Sequence, residues 1–224
     1  LNHALFKGLL FLGAGAVFHA SGTRDIDHLG GLQKRMPYTG LTFLAGAAAI
    51  SGLPPFNGFV SEVLIYLSGL DGALSGASRT VLFAAGIIAS LALIGGLAAA
   101  CFAKCFGIVF LGEPRSAQSA QAHEVPPAMV WPMIVLAAGC LGVGLAAPWS
   151  FRLAYPAILT LSSSANAETA HSAAAAVGIL NNIALLYIVF IVFIAVLFSL
   201  RRLLLRTYRE RTTGTWDCGY AQPT

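Results

Sequence analysis

The chain has 224 residues, 57% of them apolar and only 10% charged, with a mean hydropathy of +0.78. Soluble domains typically carry about a quarter charged residues, so the composition excludes an ordinary water-soluble enzyme and makes the number of membrane spans the first question. The formal net charge of +4 comes largely from Arg201, Arg202, Arg206, Arg209 and Arg211, and directly after an apolar run such a cluster marks the cytoplasmic end of a helix rather than a nucleic-acid surface.

The opening "LNHALFKGLL" is already apolar and helical, without a methionine or signal peptide, and reads as the start of a piece of a longer membrane protein. Its block, Leu1 to Ala20, has the length that about 30 Å of hydrocarbon requires, roughly 20 residues. His3 and Lys7 stand four apart and so share one helical face. Ionisable groups inside the hydrocarbon layer are costly and mark function, and this pair reads as two steps of a proton wire bridged by water. The bland alternative is a helix starting at the interface, with Lys7 snorkelling to the headgroups. "LGAGAV" in the same helix is glycine spacing for packing, not a dinucleotide fingerprint. His19 and His28 fall at or beyond the end of the helix and read as loop residues.

The second block, Tyr38 to Leu70, is too long for one ordinary span and is interrupted at Gly52-Leu53-Pro54-Pro55. Prolines remove backbone donors and clash with the preceding turn, while Gly52 and Gly58 permit close approach and unusual dihedrals. Such breaks are tolerated at membrane depth only against protein or a water-filled cavity, and transporters build ion sites on them. Glu62, seven residues beyond Pro55, sits where a proton could be held and released. The alternative is a structural kink with Glu62 satisfied by a neighbour.

Charge asymmetry decides between one broken span and two full ones. With the arginine-rich tail inside, a single span discontinuous at Pro54 and Pro55 puts "SGTRDIDHLGGLQKRMP", with Arg24, Lys34 and Arg35, on the cytoplasmic side. Two spans would put it outside. The third block runs from Thr80 to Phe110 and carries Lys104 near its inner end, as an interfacial snorkeller or a proton-path residue. Cys101 and Cys105 in the same helix have no ligating pattern around them and read as apolar packing. A cytoplasmic loop, 112–128, follows, then the fourth block, Met129 to Ala147. The external stretch after it begins with a short interfacial helix carrying Trp149 and Tyr155 and continues as an exposed Ser/Ala/Asn loop. The fifth block is Ala176 to Leu205, and the tail 206–224 is cytoplasmic. The expected fold is all-α, a polytopic bundle of about five spans.

"NHALFKGLLFLGAGAV", "GTRDIDHLGGLQKRMP" and "ISGLPPFNGFVSE", in that order and spacing, resemble the proton-conducting membrane transporter family. These are the antiporter-like L, M and N subunits of NADH-quinone oxidoreductase, with relatives in Mrp-type antiporters. The ending "TWDCGYAQPT" is similar to the hydrogenase-4 and formate hydrogenlyase branch, component B. The resemblance implies that 1–111 is the C-terminal part of the second of two inverted repeats, with two further helices in 129–205. It implies a multi-pass subunit of the bacterial inner membrane that moves protons through His3, Lys7 and Glu62, with Lys104 a further proton-path candidate from the sequence itself. Partner membrane and peripheral subunits would hold any flavin, iron–sulfur or nickel–iron centres, since no cofactor, metal or catalytic site is expected in this chain. A non-pumping anchor subunit and a cation/proton antiporter subunit are the alternatives.

Overall fold

The computed structural model describes residues 1–74, 78–161 and 167–206. Among these the chain is all helical, with eight α-helices and two 3₁₀ turns. Helix α1, Asn2–Ser21, ends at Gly22, whose φ of 69° is the left-handed conformation glycine accepts readily, and the Gly22 N–H donates to the Phe18 carbonyl at 2.8 Å. After 3₁₀ turns at Ile26–His28 and Leu32–Lys34, α2 (Pro37–Ile50) begins with proline in its first turn, where the missing N–H costs nothing. Residues 51–56 are non-helical, and α3 covers Asn57–Leu74. Then come α4 (Ser78–Phe110), the short α5 (Ala117–Gln121), α6 (Pro127–Leu145), α7 (Ala147–Leu161) and α8 (Ala167–Leu204).

Four helical segments are long and apolar enough to cross a membrane: Asn2–Ser21, Ser78–Phe110, Pro127–Leu145 and Ala173–Leu204. They coincide with the first, third, fourth and fifth apolar blocks. The second block is divided between α2, a shorter apolar helix, and α3.

The chain forms two compact units. The first, Leu1–Tyr187, has its main core where α1, α2, α4 and α6 meet, with Leu9, Leu32, Met36, Met133, Cys140 and Phe110 buried. The Phe43 and Phe110 rings lie 5.3 Å apart between α2 and α4. Gly13 of α1 packs on the Phe43 ring, which is the packing role that "LGAGAV" suggests. A smaller cluster joins Val60 of α3, Ala147 of α7 and Leu180 of α8. The second unit begins at Ile188; its described part is helical to Leu204, and its large apolar side chains are exposed.

The contacts along α4 run in one direction. Gly72 of α3 faces Thr80 and Ala84, Gly69 faces Ile88, Glu62 faces Gly95, and Gly40 and Phe43 of α2 meet Phe110. Helix α4 thus lies antiparallel to α3 over its first half and to α2 over its last turns. Helix α6 runs the other way, with Met133 beside Thr42 and Gly144 against the backbone of Pro55 to Asn57.

The two loops expected on one side of the membrane dock on each other. The Gly31 N–H donates to the Leu111 carbonyl at 3.0 Å, Ser119 Oγ to the Gly30 carbonyl at 2.7 Å, and Ser116 Oγ to the His28 carbonyl at 2.7 Å. Lys34 Nζ pairs with Glu113 at 2.9 Å. The Glu124 carboxylate accepts from the Tyr38 and Thr39 N–H groups at 2.8 and 3.3 Å and from Thr39 Oγ1 at 2.6 Å. It serves α2 as an N-terminal cap from 85 residues away.

Two expectations are corrected here. Loop 112–128 contains the helical turn α5, which Ser116 caps by accepting from the Ser119 N–H. Residues 167–175, read as exposed loop, are the first turns of α8; "AETAHSAAAAV" is rich in alanine, the strongest helix former. A helix forms where a short one was expected, α7. Its Arg152 lies over the Trp149 ring at 5.8 Å, and its Phe151 and Tyr155 rings lie 6.2 Å apart.

Candidate functional site around the 51–56 break

The sequence places two prolines and two glycines where α2 gives way to α3, and the backbone there follows from them. The N–H groups of Ser51, Gly52 and Leu53 still reach back to carbonyls of α2, those of Ala47, Ala49 and Ala48, at 3.0 to 3.3 Å. Gly52 has φ 63°, and the Pro54–Pro55 peptide is cis. With no donors at Pro54 and Pro55 the helix cannot continue, and Phe56 N–H donates to the Leu53 carbonyl at 3.1 Å before α3 starts.

Glycines hold the neighbouring elements onto this turn. A methyl group on Gly58 would overlap the Ala49 carbonyl oxygen, and one on Gly144 of α6 would overlap the Pro55 carbonyl oxygen. Both clashes are with backbone, which cannot swing aside as a flexible side chain would.

Asn57 opens α3 and is completely buried. Its Nδ2 donates to the Asn2 carbonyl and to Asn2 Oδ1, both at 3.3 Å. In return, Asn2 Nδ2 donates to the Asn57 carbonyl at 3.2 Å and to Ser61 Oγ at 2.6 Å. Asn57 Oδ1 has no partner among the described residues. This polar cluster fastens the start of α1 to the start of α3. The next residues along the chain from two of its members are His3 and Glu62.

The Glu62 side chain is half-buried. Its carboxylate lies against Gly52, where any Cβ would overlap it, and faces Gly95 of α4. It makes no hydrogen bond or ion pair among the described residues. The kink reading, in which a neighbour satisfies Glu62 by hydrogen bonding, therefore lacks its partner among these residues.

The other three predicted residues occupy open faces. His3 is exposed and meets the Phe6 ring edge-on at 5.4 Å, Lys7 is exposed with Nζ 5.4 Å from the Phe11 ring centroid, and Lys104 is exposed on α4. The expectation of buried relay groups is not met: none of the four is buried. His3 and Lys7 do share one side of α1, and Phe11, one turn beyond Lys7, is 69% exposed. Arg209, Arg211, Cys218 and the ending "TWDCGYAQPT" lie outside the described residues.

Sequence reading missed Asn2, Ser61, Gly95 and Gly144. The Gly95-Gly96 pair inside an apolar helix is the one signal that was available, since small residues mark close helix approach in membranes.

Residues 1–95 match the family described as NADH:quinone oxidoreductase/Mrp antiporter, TM. Hydrogenase-4 component B of Escherichia coli (strain K12) is 39% identical over 227 residues, covering 98% of this chain and 34% of the relative. Formate hydrogenlyase subunit 3 of the same organism is 44% identical over 149 residues, covering 66% of this chain and 24% of the relative. The chain therefore spans about a third, or less, of the length of these relatives. A structure of the Mrp complex from Dietzia sp. DQ12-45-1b has a similar fold, with TM-score 0.54 at 22% identity, over 65% of this chain and 33% of that one.

Proposed function

Because the chain belongs, through residues 1–95, to the NADH:quinone oxidoreductase/Mrp antiporter membrane family, we propose that it is part of a proton-translocating membrane subunit of a respiratory-type oxidoreductase complex, of the hydrogenase-4 or NADH-quinone kind. Partner subunits carry the redox centres and the electron transfer; this multi-pass chain moves protons in response. The observation that carries this reading is Glu62, a carboxylate without a partner among the described residues, lying on a proline- and glycine-built helix break.

In this reading α2 and α3 are one crossing interrupted at 51–56. Two observations support it. The start of α2 and the end of α4 belong to loops that dock together, so they lie on one side. Helix α4 meets α3 and then α2 in unbroken antiparallel sequence. A carboxylate just beyond the break then sits within the membrane, where it exchanges a proton with water admitted to the cavity that such breaks line. His3 and Lys7 pass protons along α1 towards it, and the Asn2–Asn57–Ser61 cluster fixes α1 against α3. Lys104 stands towards the docked-loop side of α4 and serves as an entry group. The arginine-rich tail and the docked loops are cytoplasmic, following the positive-inside rule.

A non-pumping anchor subunit is the second reading, favoured by the exposure of His3, Lys7 and Lys104. Lys7→Ala in the full-length protein separates the two. The pump reading expects an assembled complex with electron transfer but a collapsed proton gradient, and a preserved gradient would support the anchor. Cation/proton antiport is a variant of the pump reading, and the family description itself includes Mrp antiporters. If sodium drives or dissipates the gradient in vesicles, that variant replaces proton-only transport.

A further inference from the structure

The Glu62 carboxylate is held without a single polar partner among the described residues, so what fixes its place is shape. On one side is Gly52, at φ 63°, and a Cβ there would coincide with the carboxylate. On the other is Gly95 of α4, where a Cβ would come 3.9 Å from both carboxylate oxygens. Beside it, a Cβ on Gly96 would meet nothing within 4 Å. Most helix surfaces at this depth present a wall of apolar side-chain atoms. Here two elements distant in sequence both omit it at the carboxylate.

We infer that Gly52 and Gly95 form a slot free of side chains that positions the Glu62 carboxylate against the broken backbone, with Gly95 as a positioning residue for proton transfer at Glu62. A carboxylate in the hydrocarbon layer is tolerated when it faces polar backbone or water rather than packed methyl groups. The slot supplies that setting: on the Gly52 side the carboxylate rests on turn backbone, and at Gly95-Gly96 the helix presents backbone without side chains. An apolar side chain at Gly95 would close the open side and push the carboxylate off the turn. Methyl alone would come into ordinary contact with the oxygens, so the effect grows with side-chain size.

The inference rests on the reading of Glu62 as a relay group, so the test includes Glu62→Gln as a separate arm. In the full-length protein within its assembled complex, proton flux is measured in inverted vesicles for Gly95→Ala, Gly95→Val and Gly95→Leu. Infrared difference spectroscopy follows the carboxyl band that disappears in Glu62→Gln. Flux falls progressively from Ala to Val to Leu, reaching the level of Glu62→Gln, while electron transfer continues and the Glu62 band shifts in the same order. If the Leu variant does not assemble, the Ala and Val variants with the band position still decide. Full flux and an unmoved band across the series, with Glu62→Gln inactive, would overturn the slot alone. Full flux in Glu62→Gln would overturn the relay reading and the slot with it.

Discussion

Asn57 is a buried amide that donates twice to Asn2, accepts from Asn2 at its backbone carbonyl, and leaves its own Oδ1 unpaired among the described residues. Buried polar groups are modestly stabilising when paired and costly when orphaned. Asn57→Ala removes both donors and the orphan, yet strands Asn2 Oδ1. The net effect expected is a loss of about 1–2 kcal/mol, read as a lower melting temperature of the detergent-solubilised full-length protein. An unchanged melting temperature would mean that the cluster does not hold α1 to α3. The pairing of Asn57 with Asn2 was not legible in sequence, because the two are 55 residues apart and no periodicity links them. At the loop surface, the Lys34 ammonium beside Glu113 holds that carboxyl below its usual range, and the backbone N–H of Asp27, followed by His28, does the same for Asp25. A carboxylate depressed in the folded state contributes stability above its unfolded pKa and loses it as the pH falls through the folded value. Amide exchange across 25–28 and 111–116, corrected for intrinsic rates, is therefore expected to be flat from neutral pH down to about 4 and to rise below it; an equal rise in Lys34→Gln would exclude the Lys34–Glu113 pair as its cause.

The non-helical stretch between α2 and α3 has a local cause. Two prolines without donors and a glycine at positive φ end one helix whatever surrounds them. What the sequence could not reveal is which elements lean on the turn, since that depends on Gly144 of α6 and Gly95 of α4 arriving from elsewhere. Gly58→Ala would put a methyl group into the Ala49 carbonyl and is expected to cost about 1–3 kcal/mol, enough to lower expression of folded protein; wild-type yield and melting temperature would show that the turn yields. Helix α2 depends on a distant residue in the same way. Glu124→Ala removes its N-terminal cap, at an expected cost of about 0.5–2 kcal/mol. Glu124→Gln keeps the side-chain oxygen and should recover part of that, as thermal unfolding would report. The start of α8 was misread as loop because serine and asparagine drew attention from the alanine run beside them, whose helix propensity prevails.

Across the whole molecule, composition alone predicted a helical membrane bundle, and four spans were legible from block length. The burial expected for His3 and Lys7 was not, because burial depends on what covers a face, and this chain leaves these faces open. The relatives are about three times as long, so the faces presented here are only part of the account. Topology gives one independent check: cysteines replacing Lys34 and Arg79 are expected to react with impermeant reagents from opposite sides of the membrane, whereas labelling from the same side would mean that 37–74 crosses twice or not at all. The most direct test is the ratio of protons moved to electrons transferred in inverted vesicles carrying the full-length protein with Glu62→Gln in its complex. The account predicts that this ratio falls while the complex assembles and electron transfer continues; a wild-type ratio in an intact complex would contradict it.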